Sequence, residues 1–204
     1  MARIIDKEVK RCDIALSAIE LFCEKGIQQS SIDEIAKCAG VAKGTIYLYF
    51  KNKEEIVFAI WDIIAERHRV AFSQRVQEDM SVKEKILVFY NFSECDEEGN
   101  KEQVLTLYQH FVSSMLIDNT GLYTQYFERF FQEDYDFIAG ALQEGIDKGE
   151  LSVDNIELLT NTIILILKGL LIRAKASNMK FAEAQSTLLQ HIAYLLDQYT
   201  RKTR

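Results

Sequence analysis

From Ser31 to Lys53 the chain reads SIDEIAKCAGVAKGTIYLYFKNK, and hydrogen-bonding side chains crowd its second half. Lys43 can reach a phosphate or a guanine edge, while Thr45 offers a hydroxyl to phosphate or base and a methyl to thymine. The phenols of Tyr47 and Tyr49 can donate to phosphate oxygens, as can Lys53 and the backbone amides of the helix it opens. Ser31 can do the same one helix earlier, although a hydroxyl there also suits a helix cap. Gly44 lets a backbone approach closely, and Val41 and Ala42 are small enough to press on base edges. Leu48 is assigned to the core. Packing is the competing use of Tyr47 and Tyr49, and plain solvation that of Lys43 and Lys53.

Side chains so spaced need a rigid mount. Ser31 with Glu34 three residues on forms the pattern of a capping box, and Ile32, Ile35 and Ala36 then face inward. Gly40 supplies a turn that tolerates positive φ. A short helix follows over 42–48, with Phe50 seating its end. Upstream, Ile14, Ala15, Ala18, Leu21 and Phe22 keep a 3.6-residue period across a helix over 7–25 that stops before Gly26. This is a helix-turn-helix, whose second helix enters the DNA major groove. Asn52 caps a long helix running to about Gln77, with Glu54 and Glu55 in its first turn. Further helices are expected near 82–94, 102–117, 121–148, 154–177 and 181–201, with an acidic loop over 96–101. The chain has no proline to interrupt them, and strand-and-turn signals are missing. The fold class is all-α, with about nine helices.

The net charge of −7 argues at first against a nucleic-acid partner. Its distribution argues otherwise. Residues 1–53 hold nine Lys and Arg against seven Asp and Glu, and the remainder holds 15 against 24. The acidic excess lies wholly outside the helix-turn-helix, where a few placed phosphate contacts would suffice. The four cysteines lack CxxC spacing and no secretory signal precedes them, which suits a reducing cytoplasm. The apolar run Ile163–Ile172 is broken by Lys168 and is too short to span a membrane.

The stretch GVAKGTIYLYFKNKEEI, with ELFCEKG and SIDEIAKCAG before it, resembles the TetR/AcrR family of bacterial transcriptional regulators. The resemblance is specific over about residues 9–58. It implies an N-terminal DNA-binding domain, residues 1–52, that docks on a palindromic double-stranded operator as part of a homodimer. It also implies a larger helical ligand-binding and dimerisation domain, residues 53–204, in which a small-molecule effector weakens the grip on DNA.

Twelve Phe and Tyr residues fall between 89 and 137, more than helix packing requires and suited to a pocket for apolar or aromatic ligands. The resemblance places such a pocket among the middle helices, which nominates Trp61, Phe92, Tyr108, Phe111, Met115, Phe127 and Phe130. Gln109, His110 and Lys168 are polar candidates, and the competing reading is that the rings build the core. The last two helices carry apolar surface broader than one stripe, as when a helix faces both a core and a partner. The family's four-helix dimer interface then nominates Ile163, Leu167, Leu171, Leu188, Ile192 and Leu195. The alternative is a helix pair buried within one protomer.

The three histidines have no HExxH or Cys/His spacing, so no metal or cofactor is expected. No phosphate loop or GxSxG elbow argues for an enzyme. Cys12, Cys23 and Cys38 all lie in the DNA-binding part, which opens a redox-responsive alternative beside plain burial. Three readings follow: a ligand-released dimeric repressor, a DNA-binding protein without an inducer, or a helical ligand-binding protein or enzyme that does not use DNA.

Overall fold

The structure, a computed structural model, describes residues 2–94 and 101–201. Ten α-helices and a short 3-10 turn occur among them, and the residues divide into two compact units. The expected acidic loop falls on residues outside the described ones.

The first unit comprises Met1–Arg67 and Glu102–Tyr126. It opens with α1 (Ala2–Ser17) and α2 (Ile19–Lys25), where the apolar period suggests a single helix. The break falls at Ala18, whose amide bonds the Ala15 carbonyl in a tighter turn at 3.1 Å. The Ser17 hydroxyl donates to the Ile14 carbonyl at 2.8 Å, and such back-bonding bends helices. Ile14, Ala15, Ala18 and Phe22 are nevertheless all buried, so the apolar stripe survives the bend. Gly26 ends α2 with φ 85° and leaves no room to spare, since a Cβ there would meet the His110 ring at 3.4 Å.

Next comes α3 (Ile32–Cys38), with the Ser31–Glu34 capping box complete at its start. Gly40 turns the chain at φ 63°. The recognition segment α4 covers only Lys43–Ile46, and its winding continues as tight turns to Phe50. Helices α1, α2 and α3 pack on one another and α3 packs on α4. Ile35, Ala36, Ile46 and Phe50 are buried, each large apolar side chain contributing about 1.5–3 kcal/mol relative to exposure. The Arg11 guanidinium lies 4.9 Å over the Phe50 ring and closes that corner.

The Asn52 side chain accepts from the Glu55 amide at 2.9 Å and so starts α5 (Lys53–Arg75). Ile56, Val57, Ala59 and Ile60 on α5 are buried. From α7 (Lys101–Ile117) and α8 (Leu122–Asp147), residues 102–126 complete this unit.

The second unit comprises His68–Lys101 and Phe127–Arg204. It contains α6 (Val82–Phe89), most of α8, α9 (Ile156–Ala176) and α10 (Phe181–Asp197). A capping box of Ser81 and Glu84 starts α6. This helix stops at Phe89, short of the expected Glu94, because buried Gln185 holds the freed backbone. Its side-chain oxygen accepts from the Phe92 amide at 3.1 Å and its NH2 donates to the Tyr90 carbonyl at 2.8 Å. Val82, Ile86, Ile138, Leu142, Ile163, Leu188, Ile192 and Leu196 lie in one core cluster. Gly145 sits where α8 meets Leu151, and a Cβ there would come within 2.7 Å of the leucine side chain.

Candidate DNA interface and effector-binding regions

Helices α3 and α4 present the sequence-nominated side chains unevenly. Ala42, Lys43, Gly44 and Tyr47 are exposed, while Val41, Thr45 and Tyr49 are half-buried. No neighbour lies within 4 Å of where a Gly44 Cβ would stand, so this stretch of backbone is open. Leu48 is 71% exposed, which corrects its assignment to the core. The tight winding after Ile46 rotates it outward, and Ile46 and Phe50 fill the interior instead.

Two cations in this region already have partners. The Lys43 ammonium donates to Asp33 on α3 at 2.7 Å, with the two side chains 52% and 60% exposed. That hydrogen bond, and then the charge of Asp33, raises the Lys43 pKa. Lys53 is only half-buried, yet its ammonium donates to the Gln28 carbonyl at 2.8 Å and the Ser30 carbonyl at 3.2 Å. Its position therefore ties the start of α5 to the loop before α3, a fold contact where a phosphate contact was expected. Ser31 is exposed, and its hydroxyl is engaged in the cap, donating to Glu34 at 2.7 Å. Lys25 also pairs with Glu34, and together with Ser31 it holds that carboxyl down at about 2.

The seven nominated ligand residues are divided between the two units. Within the first unit Trp61 meets Tyr108 and Phe111 edge-on at ring distances of 6.0 and 5.9 Å. Phe111 touches Tyr123 and Tyr126, and Phe58 stacks on Tyr126 at 4.2 Å. The Tyr126 hydroxyl donates to the Phe58 carbonyl at 2.8 Å, and the Trp61 N–H is buried with no partner among the described residues. Met115 is half-buried one turn beyond Phe111. His110 faces the Cys23 carbonyl at 3.3 Å and Gly26, so packing within the first unit accounts for it.

Within the second unit Phe92 lies 5.0 Å from the His68 ring, and the Lys168 ammonium stands 5.3 Å over Phe127. Phe130 lies under the Arg129 guanidinium at 5.7 Å. Tyr90, Asp134 and His68 join these residues, and none of the three was nominated as a ligand contact.

Four of the six nominated dimer residues need correction. Ile163, Leu167, Leu188 and Ile192 are buried within the single chain, and Leu171 and Leu195 pack against the same core. Fully enclosed side chains cannot reach a second copy. Apolar residues that face outward on these helices include Leu158 at 65%, and further along Leu165 at 66%, Ile172 at 61% and Tyr194 at 72% exposure. A groove of about 220 Å³ runs beside them, lined by Leu165, Ile166, Gly169, Leu170 and Arg173 of α9 and by Thr187 and His191 of α10.

Cys12 and Cys23 are half-buried, Cys38 is exposed, and all three are free. Burial, followed by the charges of Glu20 and Glu24, pushes the Cys23 thiol up to about 11, so it stays protonated near neutrality. Cys95 lies outside the described residues. No group of three or more His, Cys, Asp or Glu side chains is arranged to hold a metal ion among the described residues. Nor is any described helix long and apolar enough to cross a membrane.

A braced three-helix unit with an exposed recognition segment, followed by a larger helical region, defines a helix-turn-helix DNA-binding regulator. Residues 14–60 match the model of the bacterial regulatory proteins of the tetR family. A fatty acid metabolism regulator protein of Bacillus subtilis is 44% identical over 79 residues, spanning 39% of this chain and 38% of that protein. The HTH-type transcriptional regulator AcrR of Shigella flexneri is 28% identical over 209 residues, covering 98% of this chain and 94% of that one. The crystal structure of the transcriptional regulator FadR from Bacillus subtilis, in complex with stearoyl-CoA, shares the fold. Its TM-score is 0.68 at 24% identity, over 90% of this chain and 96% of that one. Residues 14–60 carry the tetR-family DNA-binding domain, and over nearly its whole length the chain is similar to a TetR/AcrR-type transcriptional regulator.

Proposed function

We infer that this regulator is a homodimeric repressor that grips a palindromic operator through residues 1–52 and releases it when an apolar small molecule binds within residues 53–204. The observation that carries the DNA-binding half is the outward display of Lys43, Tyr47 and Leu48 beside the open backbone of Gly44. In this reading Val41, Ala42, Lys43, Gly44, Thr45 and Leu48 meet base edges, and Tyr47, Tyr49 and the Ser31 end of α3 meet phosphates. Lys53 acts one step back, as a positioning residue for the loop before α3.

The effector half rests on two groups of rings, the second with polar side chains beside it, a lining suited to an apolar ligand. A structural relative holding stearoyl-CoA adds support for an apolar chain as the ligand's body. The dimer half rests on Leu165, Ile172 and Tyr194 around the α9–α10 groove. Two half-sites about one helical turn apart, or a multiple of it, then match the two-fold symmetry. Helix α5 carries residues of both units and is the continuous element by which occupancy reaches the reader.

Fragments of the source genome retained by the protein, then footprinted, test this reading. Tyr47→Ala should weaken binding to specific and random DNA alike, whereas Thr45→Ala should also change sequence preference. Unaltered binding in both variants would overturn the assignment of α4.

A further inference from the structure

The second unit contains a half-buried polar cluster drawn from separate helices, of which Tyr90 is the enclosed member. His68 comes from α5, Tyr90 from the end of α6, Asp134 from α8 and Lys168 from α9. The Phe72–Phe137 ring contact, at 5.2 Å, aligns α5 and α8 one turn beyond His68 and Asp134. The His68 Nε2 lies 2.6 Å from the Phe89 carbonyl, which can only accept, so Nε2 carries the proton. Burial lowers the His68 pKa and keeps the ring neutral. Lys168 reaches the Asp134 carboxylate at 3.4 Å. Among these four residues the charges cancel, with one cation, one carboxylate and one neutral imidazole, while Arg69, paired with Glu133, and Arg75, donating to the Asn91 carbonyl, lie within electrostatic reach of His68.

What the cluster lacks is a partner for Tyr90. Its hydroxyl is fully enclosed, lies within electrostatic reach of Asp134 and has no hydrogen-bond partner among the described residues. Buried hydroxyls are almost always paired, and an unpaired one destabilises the folded chain until something supplies the missing bond. A charged group arriving beside the enclosed Tyr90 hydroxyl would upset the balance of a half-buried Lys168–Asp134 pair. An uncharged oxygen would not.

We propose that this cluster is the head-binding end of the effector site, where Tyr90 Oη donates to an uncharged carbonyl oxygen of an ester, thioester or amide. The molecule's apolar body lies against the surrounding rings, among them Phe89, Phe92 and Phe137. This assignment rests on the effector reading above, and it adds the chemistry of the ligand's polar tip.

Calorimetric titration of the full chain with four ten-carbon probes separates the two claims. Methyl decanoate should bind at least tenfold more tightly than decanoate, decyltrimethylammonium or decane. Tyr90→Phe should weaken methyl decanoate by about five- to tenfold and leave decane unchanged. The same variant should melt no lower than the parent chain, because it removes an unpaired hydroxyl. Unchanged methyl decanoate binding by Tyr90→Phe, or tighter binding of either charged probe, overturns the carbonyl assignment and leaves an apolar effector standing. If none of the four probes binds and none releases operator DNA, the effector reading falls together with it.

Discussion

The DNA reader and the terminal helix pair are both built from apolar periodicity, yet they expose their function differently. In the reader the side chains proposed to meet DNA, Lys43, Tyr47 and Leu48, are those that the packing of α1–α4 leaves outside. In α9 and α10 the residues proposed for the interface, Leu165 and Ile172 above all, are as apolar as the inward ones, although charged and polar side chains share the outer face. Leu165 and Ile163 differ only in which side of the helix they occupy, one 66% exposed and the other enclosed. Polar chemistry labels its own surface, whereas an apolar interface is labelled only by the packing on its other side.

The largest effect should come from placing a charge on each side of that pair. Ile192→Asp buries a carboxylate with no counter-ion and is expected to cost about 4 kcal/mol or more, a large share of a typical domain's stability. Leu165→Asp and Ile172→Asp should change unfolding by about 0.5 kcal/mol or less while converting a dimer to a monomer. Thermal melts and sedimentation together read both quantities. A folded, monomeric Ile192→Asp would return the interface to the buried face, and dimeric Leu165→Asp and Ile172→Asp variants would remove it from the outer one.

The same contrast explains what was legible in the sequence. Ser31 with Glu34, Gly40, and Asn52 with Glu55 are local devices whose partners lie within three residues, so spacing alone placed them. Leu48 was misplaced because a segment as short as α4 shows no full helical period, and its winding tightens just there. Lys53 has the spacing of a phosphate contact, but its actual acceptors are the carbonyls of Gln28 and Ser30, which no local pattern reveals. Ile163 and Ile192 satisfied a two-sided apolar criterion that never said which side was which. Gln185, Asp134 and the unpaired Tyr90 hydroxyl depend on contacts across helices far apart in sequence.

Within the reader, a smaller effect tests whether Asp33 restrains Lys43. The pair is exposed, so solvent screening keeps its influence on affinity to about fivefold at most. Asp33→Asn removes a negative charge beside the DNA-facing lysine. Operator affinity should rise about two- to fivefold at low salt, with the gain fading as ionic strength increases. Fluorescence anisotropy across a salt series measures it. A loss of affinity would instead make Asp33 a contact in its own right, either orienting Lys43 or accepting from a cytosine amino group.

The smallest effect concerns the mount beneath that pair. Glu34 is held at about 2 against an ordinary value of 4.5, by hydrogen bonds from Lys25 and then from Ser31. Its folded-state value is depressed, so the stabilisation is fully present above the ordinary value and is lost as pH falls toward about 2. Glu34→Gln should therefore melt slightly below the parent chain at neutral pH, and the two curves should converge over that acid window. The residue is at the surface, where solvent screens its contacts, so the difference should be modest and should shrink further in high salt. A gap that persists unchanged at pH 2 would mean that Glu34 acts by packing or by neutral hydrogen bonding. The reader's mount would then resemble the terminal helices, held by shape, more than its own charged surface.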